Sequence, residues 1–147
     1  MKLVKHIFLI DDDNMINMIT TNIIKIGKLA KKISSETNAK EALDQLMHLW
    51  LTDRPAFPDF IFLDIDMPDM DGWEFLDMFK EFPPEAVSAT TIVMLTSSID
   101  LFDIRKSKTY SMVKDYVSKP IQIPILERLF SSKHIYFGVS QEVINKI

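Results

Sequence analysis

The stretch that decides the fold is Phe60-Ile61-Phe62-Leu63-Asp64-Ile65-Asp66-Met67-Pro68-Asp69-Met70-Asp71-Gly72. It holds a short apolar run, an aspartate that closes this run, and a series of turn-forming residues. An apolar run that does not alternate with polar residues is typical of a strand covered on both faces, as in a parallel sheet. The stretch therefore predicts a buried parallel strand with the carboxylate of Asp64 at its carboxyl end.

Similar apolar runs occur elsewhere in the chain and predict further strands. They are Ile7-Phe8-Leu9-Ile10, Ile92-Val93-Met94-Leu95 and the shorter Tyr116-Val117. A remaining strand is assigned to residues 31–36, although only the position of this segment in the alternation favours it. Segments with helical spacing separate the strands. A strand-then-helix order repeated five times predicts an α/β domain with a parallel sheet.

Five segments show the three- and four-residue spacing of amphipathic helices. Their apolar residues are Met15, Ile16, Ile19, Ile23 and Ile26; Ala39, Ala42, Leu43, Leu46, Leu49 and Trp50; Trp73, Leu76 and Phe79; Ile99, Phe102 and Ile104; and Ile125, Leu126, Leu129 and Phe130. Asp13 and Asn38 are the expected N-caps of the first two helices, and Gly27 is the expected stop of the first. Residues 52–58 and 82–91 are predicted to be longer loops, and residues 139–147 a short helix.

The composition indicates one globular domain. The 147 residues are 47% hydrophobic and 26% charged, and the chain has no cysteine, which excludes disulfides and thiolate metal sites. No apolar stretch approaches the roughly 20 residues that a membrane span needs, and the first apolar run is too short for a secretion signal. The expected protein is soluble and cytoplasmic. Its net charge of −4 argues against direct binding of nucleic acid.

Polar residues close each predicted strand, at the edge where open parallel sheets bind ligands. They are Asp11-Asp12-Asp13, Asp64, Thr96-Ser97-Ser98 and Ser118-Lys119-Pro120. Neighbouring carboxylates oppose each other's ionisation, and a bound Mg²⁺ would resolve this conflict. Phosphoryl transfer needs a nucleophile, a metal and donors to the equatorial oxygens. Asp64 can supply the nucleophile, Lys119 a cation and Thr96 a hydroxyl donor.

Four motifs in this order resemble the receiver domain of two-component response regulators. They are Ile10-Asp11-Asp12-Asp13, the stretch from Phe62 to Gly72, Leu95-Thr96-Ser97-Ser98 and Tyr116-Val117-Ser118-Lys119-Pro120. The resemblance runs from about residue 5 to residue 130. It implies a flavodoxin-like (βα)5 three-layer sandwich, with a five-stranded parallel sheet in the order 2-1-3-4-5.

The resemblance also implies a role for each matching position. Asp12 would bind Mg²⁺ directly and Asp11 through water. Asp64 would be both phosphoacceptor and metal ligand, and the backbone carbonyl of Asp66 would complete the metal site. Thr96 and Tyr116 match the switch pair of the family, and Lys119 matches its active-site lysine. The peptide bond between Lys119 and Pro120 is expected to be cis.

The implied function is signalling rather than conventional enzyme catalysis. Residues 1–131 would form a receiver that takes a phosphoryl group from a histidine kinase or a histidine phosphotransfer protein, and would catalyse its own phosphorylation and dephosphorylation. Residues 132–147 would form a tail. The segment after residue 130 is too short for an output domain, which leaves a stand-alone receiver or a fragment of a larger protein. The receiver would act on a downstream protein, as a monomer or a phosphorylation-linked dimer.

Other interpretations of the same residues remain open at the level of sequence. The pair Asp64 and Asp66 is similar to the nucleophile motif of haloacid-dehalogenase-like phosphohydrolases, but the acidic pair then comes on the wrong side of it. A degenerate receiver that serves as a scaffold is a further alternative. Tyr116 could be a plain core residue. Residues 69–72 favour a turn that Gly72 allows through a positive φ, rather than extra metal ligands.

Overall fold

A computed structural model describes residues 3–131 and shows one parallel sheet flanked by helices. The strands are β1 (Val4–Ile10), β2 (Ala30–Glu36), β3 (Phe60–Asp64), β4 (Thr91–Thr96) and β5 (Val113–Ser118). The helices are α1 (Asn14–Ile26), α2 (Ala39–Thr52), α3 (Gly72–Phe79), α4 (Pro84–Ala89), α5 (Leu101–Ser107) and α6 (Ile123–Ser131). The strand order β2-β1-β3-β4-β5 confirms the predicted fold and topology.

Alternate residues of the central strands face two separate apolar cores, which makes the domain three layers thick. Phe62 and Leu9 lie in the core shared with α1 and α6, whereas Leu63 and Ile10 lie in the core shared with α2, α3 and α5. Because both faces of the sheet are covered, the central strands β3 and β4 are apolar except at their ends. The polar residues of these two strands therefore lie at the ends of the sheet.

The strand β2 lies at the edge of the sheet and pairs only with β1 among the described strands. None of its residues is fully buried. A strand exposed on one side does not need a continuous apolar run, and lysines are a common protection of an exposed edge. This position explains why Lys31 and Lys32 gave the strand so weak a sequence signal.

Side chains at the expected positions cap the first helices. The Asp13 carboxylate accepts hydrogen bonds from the backbone N–H groups of Met15 and Ile16, and the Asn38 side chain accepts one from Glu41. Both caps are as predicted, so Asp13 serves the helix rather than the acidic pair. An aspartate or asparagine in this position satisfies N–H groups that have no partner inside the helix.

Short helices replace the two predicted longer loops. The segment 82–91 contains α4, which begins at Pro84 and buries Ala86, and a 3-10 turn covers Arg54–Ala56. Proline at the first helical position has a backbone angle suited to the helix and lacks only an N–H that would be unpaired there. Pro84 and Pro55 therefore lie at the starts of short helices rather than in irregular loops.

The apolar spacing of α1 correctly predicted a helix but not its buried face. Met15 is 68% exposed and Ile26 is 74% exposed, whereas Asn17 and Thr20 are buried together with Ile24. The predicted stripe on α5 shows the same discrepancy, because Ile104 is buried and Phe102 is 79% exposed. In both helices, a part of the apolar stripe faces away from the core.

No helix within residues 3–131 is long and apolar enough to cross a membrane. The tail assigned to residues 132–147, including the short helix predicted for residues 139–147, lies outside the described residues.

Candidate functional site

The carboxyl ends of two neighbouring strands bring the predicted acidic residues together. Asp11 and Asp12 follow β1, and Asp64 is the last residue of the neighbouring β3. Carboxylate oxygens of Asp11, Asp12 and Asp64 all lie within 4.8 Å of one another. Asp11 and Asp64 are buried, whereas the side chain of Asp12 is exposed. The sequence-predicted cluster is therefore present in space, with one open side.

Lys119, which follows β5, reaches across the site and contacts two of these acids. Its Nζ lies 2.7 Å from Oδ2 of Asp11 and 3.0 Å from Oδ1 of Asp64. The lysine side chain is only 14% exposed, so water screens these contacts weakly. The Lys119 backbone N–H also donates to the Thr96 carbonyl at 2.7 Å. The peptide bond between Lys119 and Pro120 is cis, as predicted.

Burial dominates the electrostatics of the cluster. It raises the pKa of Asp64 to about 7, and the charge of Asp11 adds to this effect while Lys119 opposes it. Burial alone would lower the pKa of Lys119, but its bonds to Asp11 and Asp64 raise it. Lys119 therefore stays charged near neutral pH, and Asp64 is poised to gain or lose a proton there. A carboxylate of this kind favours a cation as a further partner.

A buried asparagine, which sequence reasoning missed, holds the loop that carries the acidic pair. The Asn17 side-chain Nδ2 donates to the backbone carbonyl of Asp11 at 2.9 Å. The backbone N–H of Asp13 donates to Oδ1 of Asp11 at 2.9 Å, and the Asp11 N–H donates to the Glu36 carbonyl at 3.2 Å. The only signal in the sequence was a polar residue between the apolar residues of α1.

The turn after Asp64 forms for a different reason from the one predicted. The residue with a positive φ is Asp69, at 67°, and Gly72 is the first residue of α3. A Cβ on Gly72 would lie 2.7 Å from the backbone oxygen of Asp64 and 3.0 Å from the Cα of Ile65. Gly72 is therefore required because the start of α3 lies directly against the end of β3. Asp71 caps α3 in a capping box with Glu74, so the Asp71 carboxylate serves the start of this helix.

The predicted switch residues lie on neighbouring strands, Thr96 at the end of β4 and Tyr116 within β5. The Thr96 hydroxyl is buried and donates to the Ser98 carbonyl at 2.6 Å. Tyr116 is 2% exposed, and its buried hydroxyl has no hydrogen-bond partner among the described residues. Burial raises the pKa of this hydroxyl to about 12. The Tyr116 ring packs within the apolar core on the α2, α3 and α5 side of the sheet.

Asp66 lies at the rim of the site. Its side chain is exposed and does not belong to the cluster of carboxylates. Its backbone N–H points to Oδ1 of Asp64 at 3.4 Å, which keeps the residue next to the acid. This placement agrees with a role for the backbone of Asp66 rather than for its carboxylate.

The residues present fit a divalent cation. Three carboxylates and one ammonium group leave the cluster with an excess of two negative charges when all are ionised. Carboxylate oxygens are the ligands that Mg²⁺ prefers, and it usually keeps several waters, as the open side at Asp12 would allow. The arrangement can thus combine a carboxylate nucleophile with a cation site and a fixed ammonium group.

Comparison with known proteins agrees with this geometry. Residues 7–130 match the family model described as the response regulator receiver domain. The transcriptional regulatory protein CitT of Halalkalibacterium halodurans is 28% identical over 148 residues, which cover 96% of this chain and 60% of that protein. A protein-glutamate methylesterase/protein-glutamine glutaminase of Archaeoglobus fulgidus is 30% identical over 78% of this chain but over only 30% of that protein.

A crystal structure of a two-component response regulator from Cytophaga hutchinsonii superimposes with a TM-score of 0.82. It is 30% identical, and the match covers 98% of this chain and 99% of that one. By contrast, the chain spans less than two thirds of the CitT and methylesterase relatives, so what the rest of those proteins does is not carried over. The matched domain and the sheet topology together assign the family: this chain belongs to the response regulator receiver domains of two-component signalling.

Proposed function

We propose that Asp64 accepts a phosphoryl group from the phosphohistidine of a histidine kinase or histidine phosphotransfer protein, with the help of Mg²⁺. The observation that carries the proposal is the buried Asp64 carboxylate, which lies within 4.8 Å of the Asp11 and Asp12 carboxylates and 3.0 Å from Lys119. Asp11, Asp12, Asp64 and the carbonyl of Asp66 would hold the ion. When bound, Mg²⁺ neutralises charge on the phosphoryl oxygens.

The side chains have distinct roles in the transfer. An oxygen of the Asp64 carboxylate attacks phosphorus, the phosphorus–nitrogen bond breaks, and its electron pair stays on the departing imidazole. The Lys119 ammonium group pairs with one phosphoryl oxygen, and the Thr96 hydroxyl donates to another. The Lys119 ammonium group lies 3.0 Å from the Asp64 carboxylate before the reaction, whereas the Thr96 hydroxyl has to turn away from the Ser98 carbonyl.

An exposed apolar surface beside the site supports a protein as the phosphoryl donor. Met15, Met18 and Ile19 on the first turns of α1 are 68%, 59% and 42% exposed. The helix begins at Asn14, two residues after Asp12. A donor protein that packs on these side chains would bring its histidine to the open side of the cluster.

The phosphoryl group would act through Thr96 and Tyr116. The Thr96 hydroxyl would leave the Ser98 carbonyl and donate to the phosphoryl group, which stabilises the inward position of Tyr116. The new charge would thereby favour one arrangement of the surface formed by α5, β5 and α6, where a downstream protein binds. With Tyr116→Ala, phosphorylation should persist while partner affinity no longer responds to it; an unchanged response would remove Tyr116 from the switch.

Asp66 and Ser98 are placed to influence the lifetime of the phosphoryl group. Both side chains are exposed and lie two positions after Asp64 and Thr96, respectively. They can therefore contact the water that attacks the aspartyl phosphate. Asp66→Ala should change the rate of dephosphorylation, and identical decay curves for variant and parent would contradict this role.

The proposal extends to the organisation of the chain. Residues 1–131 would form the receiver domain and residues 132–147 a tail, and the receiver would act in the cytoplasm, monomeric or paired upon phosphorylation. Its output is a contact with another protein rather than with nucleic acid.

The decisive experiment is phosphorylation by acetyl phosphate, read by intact mass. The parent protein should gain one phosphoryl group in the presence of Mg²⁺ and none in the presence of a chelator. Asp64→Asn should gain none. Asp115→Asn is the matched control, because Asp115 is an equally buried strand aspartate outside the cluster, and it should behave like the parent. A folded, Mg²⁺-binding parent that gains no mass from acetyl phosphate or from a phosphohistidine protein would support a scaffold instead.

A further inference from the structure

The buried Asn17 stands out as a polar side chain that the chemistry above does not use. It is 2% exposed and lies in the second turn of α1, where asparagine is a poor helix former. Burial of an amide is costly unless its hydrogen bonds are made. A compensating contact is therefore expected, and the structure contains it.

That contact is made to the loop that carries the acidic pair. Nδ2 of Asn17 donates to the carbonyl of Asp11 at 2.9 Å, across six positions of the chain. The Asp11 carbonyl belongs to the peptide unit that joins Asp11 to Asp12. A bond to this oxygen fixes the rotation of that peptide plane and so the direction in which the Asp12 side chain leaves the backbone.

Asp12 needs such support more than its neighbours do. The Asp11 carboxylate is held by Lys119 and by the Asp13 N–H, and Asp64 is held by Lys119. Asp12 has an exposed side chain, and its described side-chain contact is with the like-charged carboxylate of Asp64. Its position relative to Asp11 and Asp64 therefore depends on the backbone from which it projects.

We propose that Asn17 is a positioning residue for the cation site, which sets the Asp11–Asp12 peptide so that the Asp12 carboxylate faces the other two. The inference rests on the proposed Mg²⁺-dependent function of the same site. Residues that orient metal ligands without touching the metal typically account for about 10- to 100-fold in affinity. Loss of the Asn17 amide should raise the dissociation constant of Mg²⁺ by about tenfold or more.

The test is a calorimetric titration of the full chain with Mg²⁺ alone, on the parent, Asn17→Leu and Asn17→Ala. Leucine keeps the branched shape of asparagine without its donor, although it is larger, and alanine is smaller and suits a helix interior. Thr20→Val is the matched control, because Thr20 is 3% exposed on the same face of α1 and has no described bond to the loop. The two Asn17 variants should bind Mg²⁺ about tenfold more weakly, and the control within about twofold of the parent.

A second readout separates positioning from folding. Phosphorylation of the Asn17 variants by acetyl phosphate should need more Mg²⁺ but reach the parental rate at saturation, because Asn17 does not touch the reacting atoms. Folded Asn17 variants that bind Mg²⁺ like the parent would overturn the inference. So would variants that are unfolded in the absence of Mg²⁺, since Asn17 would then support the fold. A folded parent that binds no Mg²⁺ would instead overturn the proposed function itself.

Discussion

Asp64 and Asp115 are both buried strand aspartates with a basic partner, yet only one lies in a site. Asp115 contacts Arg128 of α6 at 3.2 Å and accepts the N–H of Tyr116 at 2.8 Å. One acid thus meets one base. Lys119 instead serves Asp11 and Asp64 in a cluster that also includes Asp12. A buried acid–base pair alone does not make a cation site. The cluster around Asp64 can be one because its carboxylates outnumber its single ammonium group and because Asp12 is open to solvent.

The two basic residues, Lys119 and Arg128, should differ most in their effect on the rate of phosphorylation. Lys119→Met should slow phosphorylation by acetyl phosphate about 100-fold, because a prealigned charge on a phosphoryl oxygen is lost. Arg128→Met should leave the rate within about twofold of the parent, since Arg128 touches only the structural pair. Rates of mass gain at saturating Mg²⁺ measure both effects. Equal rates for the two variants would erase the distinction between the pairs.

Arg128, which should matter little for the rate of phosphorylation, should matter for the stability of the fold. Arg128→Met leaves the Asp115 carboxylate buried without its base and should lower the free energy of unfolding by about 2 kcal/mol, a value below that of fully buried pairs because Arg128 is 38% exposed. Urea unfolding in a chelator at neutral pH measures the loss. The double variant with Asp115→Asn should recover part of it; no recovery would mean that Arg128 stabilises the fold through packing alone.

Removal of the Asp64 carboxylate from the acidic cluster should stabilise the metal-free protein. Asp64→Asn relieves the repulsion from Asp11 and the cost of a buried charge, so the free energy of unfolding should rise by about 1 kcal/mol above neutral pH. The gain should vanish when the parent is saturated with Mg²⁺, because the ion offsets the same repulsion. Urea unfolding without Mg²⁺ measures the gain in stability, and urea unfolding with Mg²⁺ measures its loss. An Asp64→Asn protein less stable than the metal-free parent would contradict the expected gain.

The last contrast concerns the pH dependence of stability. Burial raises the pKa of Asp115 to about 6 from an ordinary value of 3.8. Between these values the folded protein holds more protons than the unfolded chain, so this group makes the free energy of unfolding fall as pH rises from about 4 to about 6. Asp115→Asn should remove that component, and the difference between parent and variant should be constant above about pH 7. A difference that does not vary with pH would contradict the raised pKa.

Local sequence was informative wherever a residue acts through its neighbours in the chain. The apolar runs predicted the strands because parallel strands are covered on both faces, and Asp13 and Asn38 predicted helix starts because a cap bonds to N–H groups two or three residues on. The site was predictable for a related reason. Strands of one direction end at the same edge, so the residues that follow them meet there.

Sequence was uninformative where a residue acts through a distant contact. Asn17 is a polar residue among the apolar residues of α1, yet it is buried against the Asp11 loop while Met15 faces outward. Gly72 appeared to be a turn glycine, although the close backbone of Asp64 is what excludes a side chain there. Both roles depend on which residues lie across from Asn17 and Gly72 in the folded chain, and spacing along the sequence does not report this.

The amino-acid sequence alone determined the class of the fold, the strand order through its family pattern, and the residues gathered at the carboxyl edge. Those features follow from polarity, spacing and chain direction, which are properties of the sequence itself. Tertiary structure decided which face of α1 is buried. It also decided that Lys119 forms ion pairs with both Asp11 and Asp64, and that Arg128 forms one with Asp115. These depend on distances between segments far apart in the chain, which only the packed layers bring within reach of a hydrogen bond.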